Sequence, residues 1–518
     1  MRSPLVSRQM AWAGVTTTWF AGCHPAVCTL IELSYRHTRY QQVRPWPLMT
    51  SLKFGTSGLR GLAVELVGDE TRRYTAAFLR YLSSVGESAA AIYLGRDLRA
   101  SSEAIYHDCA AAAAAMGLRV VNCGVLAAPA LACHAMAADA PSIMITGSHI
   151  PADRNGLKFS RASREISKLD EIGIIEQLGE VEGGDYKAEV VNETIQAAAL
   201  YIDRYRGVIA EDAIKGWRTG VYEHSTAGRG TLAAVFAASC AEIVPLGRSD
   251  DFFAVYTQAF TDSVSAPLPQ WLRAHRLDAI ISADGDADRP LLMDDLGQFV
   301  RGDVLGLLAA QFFGADAVVT PVTSKTAIEA TRYFPSVVRT KVGSPYVIEG
   351  IDKARAAGAH CVFGFEANGG TLLGSDLVVG SSQLSALMTR DAILPLIGVF
   401  GRAAAENCAI SDLVEALPLR VALSDRLENI VPEKSRAVSE RLSAPPAAAA
   451  YFGERGSILR TIAIDGLQVF VDDGTMIHYR ASGNAPELRC YVEADTPARA
   501  QDALSWGLNA ARMATVHA

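Results

Sequence analysis

The chain has 518 residues, half of them hydrophobic and a fifth charged, with a formal net charge of −8. That length exceeds one ordinary core, so three or four domains are expected. The acidic balance excludes a general nucleic-acid binder, which would present a basic surface, but allows a local Arg/Lys cluster that holds a phosphorylated small molecule.

Residues 1–48 differ from the rest. They hold three of the six Trp (Trp12, Trp19, Trp46), five Arg, no Lys, and Glu32 as their only acid. Met49 then opens a stretch that reads at once as folded protein. Two readings stand: translated sequence upstream of a true start at Met49, or an Arg-rich, acid-poor leader. His24 and Pro25 interrupt the apolar part, which makes it a poor membrane span, and no later apolar run is long enough to cross a bilayer. The nine cysteines form no C-x-x-C pair. Neither a zinc site nor a disulfide framework is expected, and a reducing, cytoplasmic compartment is.

From Ala91 onward short apolar runs alternate with Ala-rich helical stretches. Ala91–Gly95, Leu118–Cys123 and Ser142–Thr146 read as strands, with helices at Ser102–Met116 and Ala128–Ala138. The rhythm recurs with strands at Thr219–Glu223, Glu242–Leu246 and Asp278–Ser282, and again at Ala317–Thr320, Ser336–Thr340 and His360–Phe363. This predicts three similar α/β domains with mixed sheets, over residues 49–200, 201–302 and 303–412. In the last part, 413–518, the Pro/Ala run Ala444–Ala450 reads as a surface loop. Strands at Gly466–Val471, Thr475–Arg480 and Arg489–Ala494 and a helix at Pro497–Ala511 predict a smaller α+β domain.

Four loops carry candidate chemistry. The first, Thr146-Gly147-Ser148-His149-Ile150-Pro151, follows a strand end, where open α/β sheets bind ligands. Ser148 there suits a nucleophile and phosphate carrier, and Lys158 an acid or base if burial lowers its pKa. The plain alternatives are a turn serine, a solvated lysine, and a His149 that caps a strand. The second, Asp284-Gly285-Asp286-Ala287-Asp288-Arg289, places three carboxylates at alternate positions, where they can converge on one hard cation such as Mg²⁺. An EF-hand loop fails, because Arg289 stands where glycine is required. Without a cation the three charges would repel. The third, Gly364-Phe365-Glu366-Ala367-Asn368-Gly369-Gly370, suits hydrogen bonding to vicinal sugar hydroxyls, although such a stretch is also an ordinary turn. The fourth, Arg480-Ala481-Ser482-Gly483-Asn484-Ala485-Pro486-Glu487-Leu488-Arg489, can cradle a phosphate, with a structural Arg489 as the alternative.

Together with Phe54-Gly55-Thr56-Ser57-Gly58-Leu59-Arg60-Gly61 and Gly95-Arg96-Asp97-Leu98-Arg99, these loops resemble the α-D-phosphohexomutase superfamily from about Lys53 to Glu493. The resemblance implies four domains around a central cleft. It implies a phosphoserine at Ser148 and metal ligation by Asp284, Asp286 and Asp288 with a phosphoserine oxygen. Arg60, His149, Lys158 and Arg289 fall near the transferring phosphoryl group. Glu366 and Asn368 fall on the sugar loop, and Lys341 and Gly343 on a further substrate loop. Arg480, Ser482, Gly483, Asn484 and Arg489 fall on the loop that grips the other phosphate. Mg²⁺ and a hexose 1,6-bisphosphate activator are implied, acting on a phosphorylated hexose in a monomer or homodimer that binds neither nucleic acid nor membrane. The sugar loop with Thr389-Arg390-Asp391-Ala392 looks most like the bacterial phosphomannomutase branch, although eukaryotic phosphoacetylglucosamine mutases also carry Glu-Ala-Asn-Gly. A glucose or glucosamine phosphate substrate, an inactive sugar-phosphate-binding protein and an Asp-based phosphatase are the alternatives.

Overall fold

The computed structural model describes residues 51–516, except 56–57, 181–187, 258–261, 381 and 483–485. The segment 1–48, Thr56 and Ser57, and the candidate residues Gly483 and Asn484 lie outside the described residues. Residues 51–518 form one compact unit.

Among the described residues four larger sheets carry the fold, beside a two-stranded ribbon of Leu377–Val379 and Ser382–Leu384, and the first three of the four repeat one topology. In the first, Ala91–Arg96 pairs in parallel with Arg119–Val125 and Ser142–Ile145, and Ser142–Ile145 pairs antiparallel with Arg154–Ser160. The second sheet does the same with Arg218–Tyr222, Glu242–Leu246, Ala279–Ala283 and Pro290–Met293. The third repeats it with Ala317–Pro321, Ser336–Thr340, Val362–Phe365 and Thr371–Leu373. In chain order the spatial sequence is fourth, third, first, second each time. The repeat, invisible as sequence identity, is thus plain in the strand order.

The parallel strands are apolar because both faces are covered: Ala279–Ala283, Ala317–Pro321 and Val362–Phe365 are buried along their whole length. One connected apolar core runs through the first three sheets and their helices, with Phe236 against Phe400 and Phe313 stacked on Phe363. The last sheet is antiparallel throughout, ordered Val421–Glu428, Glu487–Ala494, Met476–Ala481, Leu467–Val471, Ile458–Ile462. It has a separate core with helix Pro497–Val516. The expected fold class holds.

One expectation fails. The run at Ala444–Ala450 is no loop: Pro445–Phe452 is a helix with Ala448 and Phe452 buried. Its prolines sit in the first turn, where no backbone N–H is needed, and the alanines after them are strong helix formers. Among the described residues no helix is long and apolar enough to cross a membrane.

The repeat places the chemistry. In each of the first three sheets the hairpin from third to fourth strand leaves the carboxyl end of a parallel strand, where such sheets bind ligands. Those hairpins are the serine loop, the Asp loop and the Glu366–Gly370 loop.

Candidate active site

The serine loop is wrapped around a buried guanidinium. Arg99 donates from Nη2 to the carbonyl oxygens of Ser148 (3.0 Å) and Ile150 (2.5 Å), and from Nη1 to those of Pro151 (2.6 Å) and Arg154 (2.8 Å). Its Nε pairs with Asp97 at 3.2 Å. Asp97 in turn accepts from Thr146 Oγ1 at 2.8 Å, and Thr146 Oγ1 accepts the Ser148 N–H at 2.7 Å. This web holds Ser148 in the left-handed region, at φ +53°. A non-glycine residue there carries strain of a kind that collects at functional sites. Gly147 is required by the packing, since a Cβ would lie 2.5 Å from the Arg99 guanidinium carbon.

The Asp loop meets the serine loop head on. A Cβ on Gly285 would lie 2.7 Å from the Ser148 carbonyl oxygen, so glycine permits the approach. Ser148 Oγ donates to Asp284 Oδ2 at 2.5 Å. Asp284, Asp286 and Asp288 are buried and offer ligand atoms all within 4.8 Å of one another. The Lys158 ammonium donates to Oδ2 of both Asp286 and Asp288. Arg390 Nη2 lies 2.6 Å from Asp288 Oδ2, and Arg289 Nε 3.5 Å from Asp288 Oδ1.

These neighbours set the protonation. Burial opposes the Asp288 carboxylate, but Arg390, Lys158 and Arg289 overcome that and hold it well below the usual range. Asp284 is pushed up to about 7 by burial and by the charges of Asp286 and Asp288. Burial alone would lower the Lys158 pKa, as the sequence suggested, but Asp286 and Asp288 more than offset it, and the net shift is upward. Lys158 is therefore a protonated acid here, which corrects the expected lowering. Asp286 Oδ1 is buried without a hydrogen-bond partner. An orphaned carboxylate oxygen, an Asp284 destabilised by its neighbours and an all-oxygen donor set fit a hard divalent cation.

Above this floor lies a cavity of about 420 Å³ that gathers Arg60, His149, Arg289, Glu366, Asn368, Arg480, Ser482 and Arg489. Arg60 Nη2 is buried without a hydrogen-bond partner. Burial first, and then Arg289 and Arg390, lower the Arg60 pKa to about 10. His149 Nδ1 lies 2.9 Å from Arg289 Nη1 and 3.2 Å from Ser148 Oγ. Burial and these arginines hold its pKa well below the usual value, so it is neutral. It fills a polar niche beside the nucleophile. Glu366 Oε2 accepts from Asn368 Nδ2 and from Arg390 Nη1, both at 3.3 Å, which links the sugar loop to the metal floor.

Lys341 lies outside that cavity. It lines an adjoining one of about 570 Å³, which shares Gly55, Val342, Arg480 and Ser482 with the first. Gly343, at φ +131°, precedes helix Ser344–Ala356 and lines neither. Arg489 lines the first cavity but also pairs with Glu487 at 3.1 Å, so its structural reading holds in part.

Sequence reasoning missed Arg390, which is buried yet touches both the metal floor and the sugar loop. The available signal was the run Thr389-Arg390-Asp391-Ala392, read above only for its family likeness, which puts a charged pair at the end of the buried strand Leu387–Asp391. It also missed Tyr256, whose ring packs edge-on against His149 with centroids 4.8 Å apart.

The chain matches three family descriptions: phosphoglucomutase/phosphomannomutase alpha/beta/alpha domain I over residues 51–185, alpha/beta/alpha domain III over 301–421, and the C-terminal domain over 420–504. It is 44% identical over 465 residues to the phosphomannomutase of Sinorhizobium fredii, covering 88% of this chain and 98% of that protein. To the phosphomannomutase of Salmonella muenchen it is 41% identical over 452 residues, covering 86% and 93%. Among solved structures, a phosphoglucomutase/phosphomannomutase family protein of Burkholderia thailandensis superposes with a TM-score of 0.68 at 20% identity, covering 88% of this chain and 97% of that one. At that identity the likeness speaks for the fold alone.

Proposed function

The chain belongs to the phosphoglucomutase/phosphomannomutase family, and from that premise we propose that it interconverts mannose 1-phosphate and mannose 6-phosphate through a phosphoserine at Ser148. The family makes it a phosphohexomutase. The mannose preference rests on relatives named phosphomannomutase at 41% and 44% identity. The domains are read as one around each of the four larger sheets, over 49–200, 201–302, 303–412 and 413–518, with the limits moved to the ends of the helices Thr194–Arg204, Gly302–Phe312 and Ile410–Glu415 that those numbers cut.

The observation that carries the reading is the position of Ser148 Oγ. It touches the Asp cluster, and the two residues that follow Ser148, His149 and Ile150, line a cavity rich in cations, Arg60, Arg289, Arg390, Arg480 and Arg489. That surplus of positive charge over a buried hydroxyl suits a phosphoryl group moving between the serine and a phosphosugar.

In the forward half, the bond from phosphorus to Ser148 Oγ breaks as one forms to the free hydroxyl of the bound sugar phosphate. The product is a hexose 1,6-bisphosphate, which turns end for end. Its other phosphoryl group then returns to Ser148, so the enzyme ends as it began. Asp284, Asp286, Asp288 and a phosphoserine oxygen would hold Mg²⁺, which when bound neutralises charge on the phosphoryl group. Lys158, protonated and next to that floor, gives a proton to the Ser148 oxygen as its bond to phosphorus breaks and takes one back when that oxygen attacks, while the sugar hydroxyl exchanges its proton with water in the cleft. Arg60 and Arg289 face the transferring group, Glu366 and Asn368 the sugar hydroxyls, and Arg480 and Ser482 the phosphate at rest. Because the cycle starts from phosphoserine, a hexose 1,6-bisphosphate serves as activator.

A coupled assay with Mg²⁺ and a trace of hexose 1,6-bisphosphate tests this, with mannose 1-phosphate and glucose 1-phosphate side by side. Turnover favouring mannose and absent in Ser148→Ala is expected. Equal turnover in Ser148→Ala would refute the phosphoserine route, and release of inorganic phosphate would favour a phosphatase.

A further inference from the structure

One carboxylate beside the cleft has no part in the phosphoryl chemistry. Asp465 sits in the turn between strands Ile458–Ile462 and Leu467–Val471. Its Oδ2 accepts two hydrogen bonds that come from two different sheets. One is from Arg480 Nε at 2.6 Å, within the last sheet. The other is from the backbone N–H of Val342 at 3.1 Å, on the loop that leaves the third sheet.

The turn is built to put Asp465 there. Its carbonyl oxygen is 2.7 Å from Nε2 of the buried His478. Gly466, at φ +79°, passes so close to the next strand that a Cβ would lie 2.0 Å from the Tyr479 carbonyl oxygen. The far end of the Val342 loop is held by a second carboxylate. Ser344 Oγ donates to Glu165 Oε2 at 2.9 Å, and Glu165 Oε1 accepts from Thr389 Oγ1 at 2.6 Å. Lys341–Gly343 is therefore suspended between Glu165, just beyond the first sheet, and Asp465 in the last domain.

We propose that Asp465 is a positioning residue that couples Arg480 to the Lys341–Gly343 loop, so that gripping the sugar's resting phosphate and drawing that loop over the sugar are one event. The proposal rests on the phosphohexomutase reading. Asp465 engages Arg480 through Nε, the guanidinium nitrogen that a bidentate grip on phosphate through the two terminal nitrogens does not need. The hold on the loop is one hydrogen bond at the mouth of the cavity, where the Asp465 side chain keeps 20% of its exposure. Such a contact can break and re-form without unfolding anything. A bisphosphate that must turn within the cleft needs a contact of that kind, strong enough to retain it and weak enough to let it rotate.

The test compares the full chain with Asp465→Ala, Asp465→Asn and Asp465→Glu. Hydrogen exchange without ligand should be about tenfold faster in the peptide covering 341–346 of Asp465→Ala, with the core strands unchanged. In turnover, KM for the hexose phosphate should rise about tenfold with kcat within about threefold, more hexose 1,6-bisphosphate should escape per turnover, and Asp465→Glu should recover part of the loss. Wild-type exchange at 341–346 overturns the coupling, whether or not sugar phosphate is turned over. Faster exchange with unchanged KM and unchanged bisphosphate escape overturns its functional half. A wild-type chain without mutase activity overturns the reading beneath the proposal, and the exchange result, which needs no substrate, tells the two failures apart. Should Asp465→Ala lose protection throughout, Asp465→Asn is scored on KM and bisphosphate escape, because it keeps an acceptor for the Val342 N–H and loses the charge held against Arg480; both unchanged would overturn the functional half.

Discussion

Arg99 Nη2 donates to the carbonyl oxygen of Ser148 at 3.0 Å, from a side chain with no exposure to solvent. The same guanidinium collects three further carbonyls of the serine loop and pairs with Asp97, so it is the template on which the nucleophile's backbone is folded. Replacing it by Met leaves Asp97 as an uncompensated buried charge. Arg99→Met should lower stability by about 3–5 kcal/mol and abolish phosphorylation of Ser148. Denaturant unfolding reads the first effect and intact mass after incubation with hexose 1,6-bisphosphate the second. A stability loss below about 1 kcal/mol would show that the web is not needed.

Asp284 gives a prediction with opposite signs for stability and function. Its folded pKa is raised from 3.8 to about 7, by burial and then by Asp286 and Asp288. A raised carboxylate stabilises the fold below its unfolded pKa, and that contribution is lost as pH rises through the folded value. Metal-free protein should therefore lose stability between about pH 4 and 7 through this group, by up to about 4 kcal/mol. Asp284→Asn should not, and in EDTA at pH 8 it should melt higher than wild type. Mg²⁺ should raise the wild-type melting temperature and leave the variant unmoved. A variant that melts lower than wild type in EDTA would contradict the charge argument.

Glu366 and Asn368 share a loop but should not share a phenotype. Asn368 hydrogen-bonds Glu366 and accepts the Gly370 N–H at 2.9 Å, so it shapes the turn as well as facing the cavity. Glu366 also holds Arg390, and through it the metal floor. Asn368→Ala should reduce kcat/KM about tenfold, mainly through KM. Glu366→Ala should cost about 100-fold or more, with kcat falling too, because Arg390 loses a buried partner. Steady-state kinetics on mannose 1-phosphate decide this, and equal effects would separate Arg390 from catalysis.

Most of the site's loops were legible because each follows an apolar strand and ends in residues that such a strand would not otherwise carry. Thr146-Gly147-Ser148 and Asp284-Gly285-Asp286 are of this kind, and the fold class followed from the strand and helix rhythm. What stayed hidden depends on long-range pairing. Arg390 acquires its role only because Val362–Phe365 and Leu387–Asp391 flank Thr371–Leu373 in one sheet, which local pattern does not reveal. Asp465 is an ordinary turn residue until Val342 comes within 3.1 Å of it. The helix Pro445–Phe452 was misread because two prolines weigh toward a loop in any local reading, although both are harmless in a first helical turn.

Arg390 is held from behind by its neighbour. Asp391 accepts from the Tyr201 hydroxyl at 2.6 Å and from the Tyr205 hydroxyl, and it caps the next helix by accepting the Ile393 and Leu394 N–H groups at 2.8 and 3.2 Å. Burial and the Asp391 charge push both phenols well above 10, so they remain donors at any pH at which the protein folds. Removing one donor leaves a buried carboxylate oxygen short of a partner, at about 1–3 kcal/mol. Tyr201→Phe and Tyr205→Phe should each lower stability by that amount, and the double variant by more than the sum, because the remaining tyrosine no longer compensates. The strand end that carries Arg390 would loosen with them, so kcat should fall several-fold while phosphorylation of Ser148 persists. A double variant of wild-type kcat would mean that Arg390 is positioned by Asp288 and Glu366 alone.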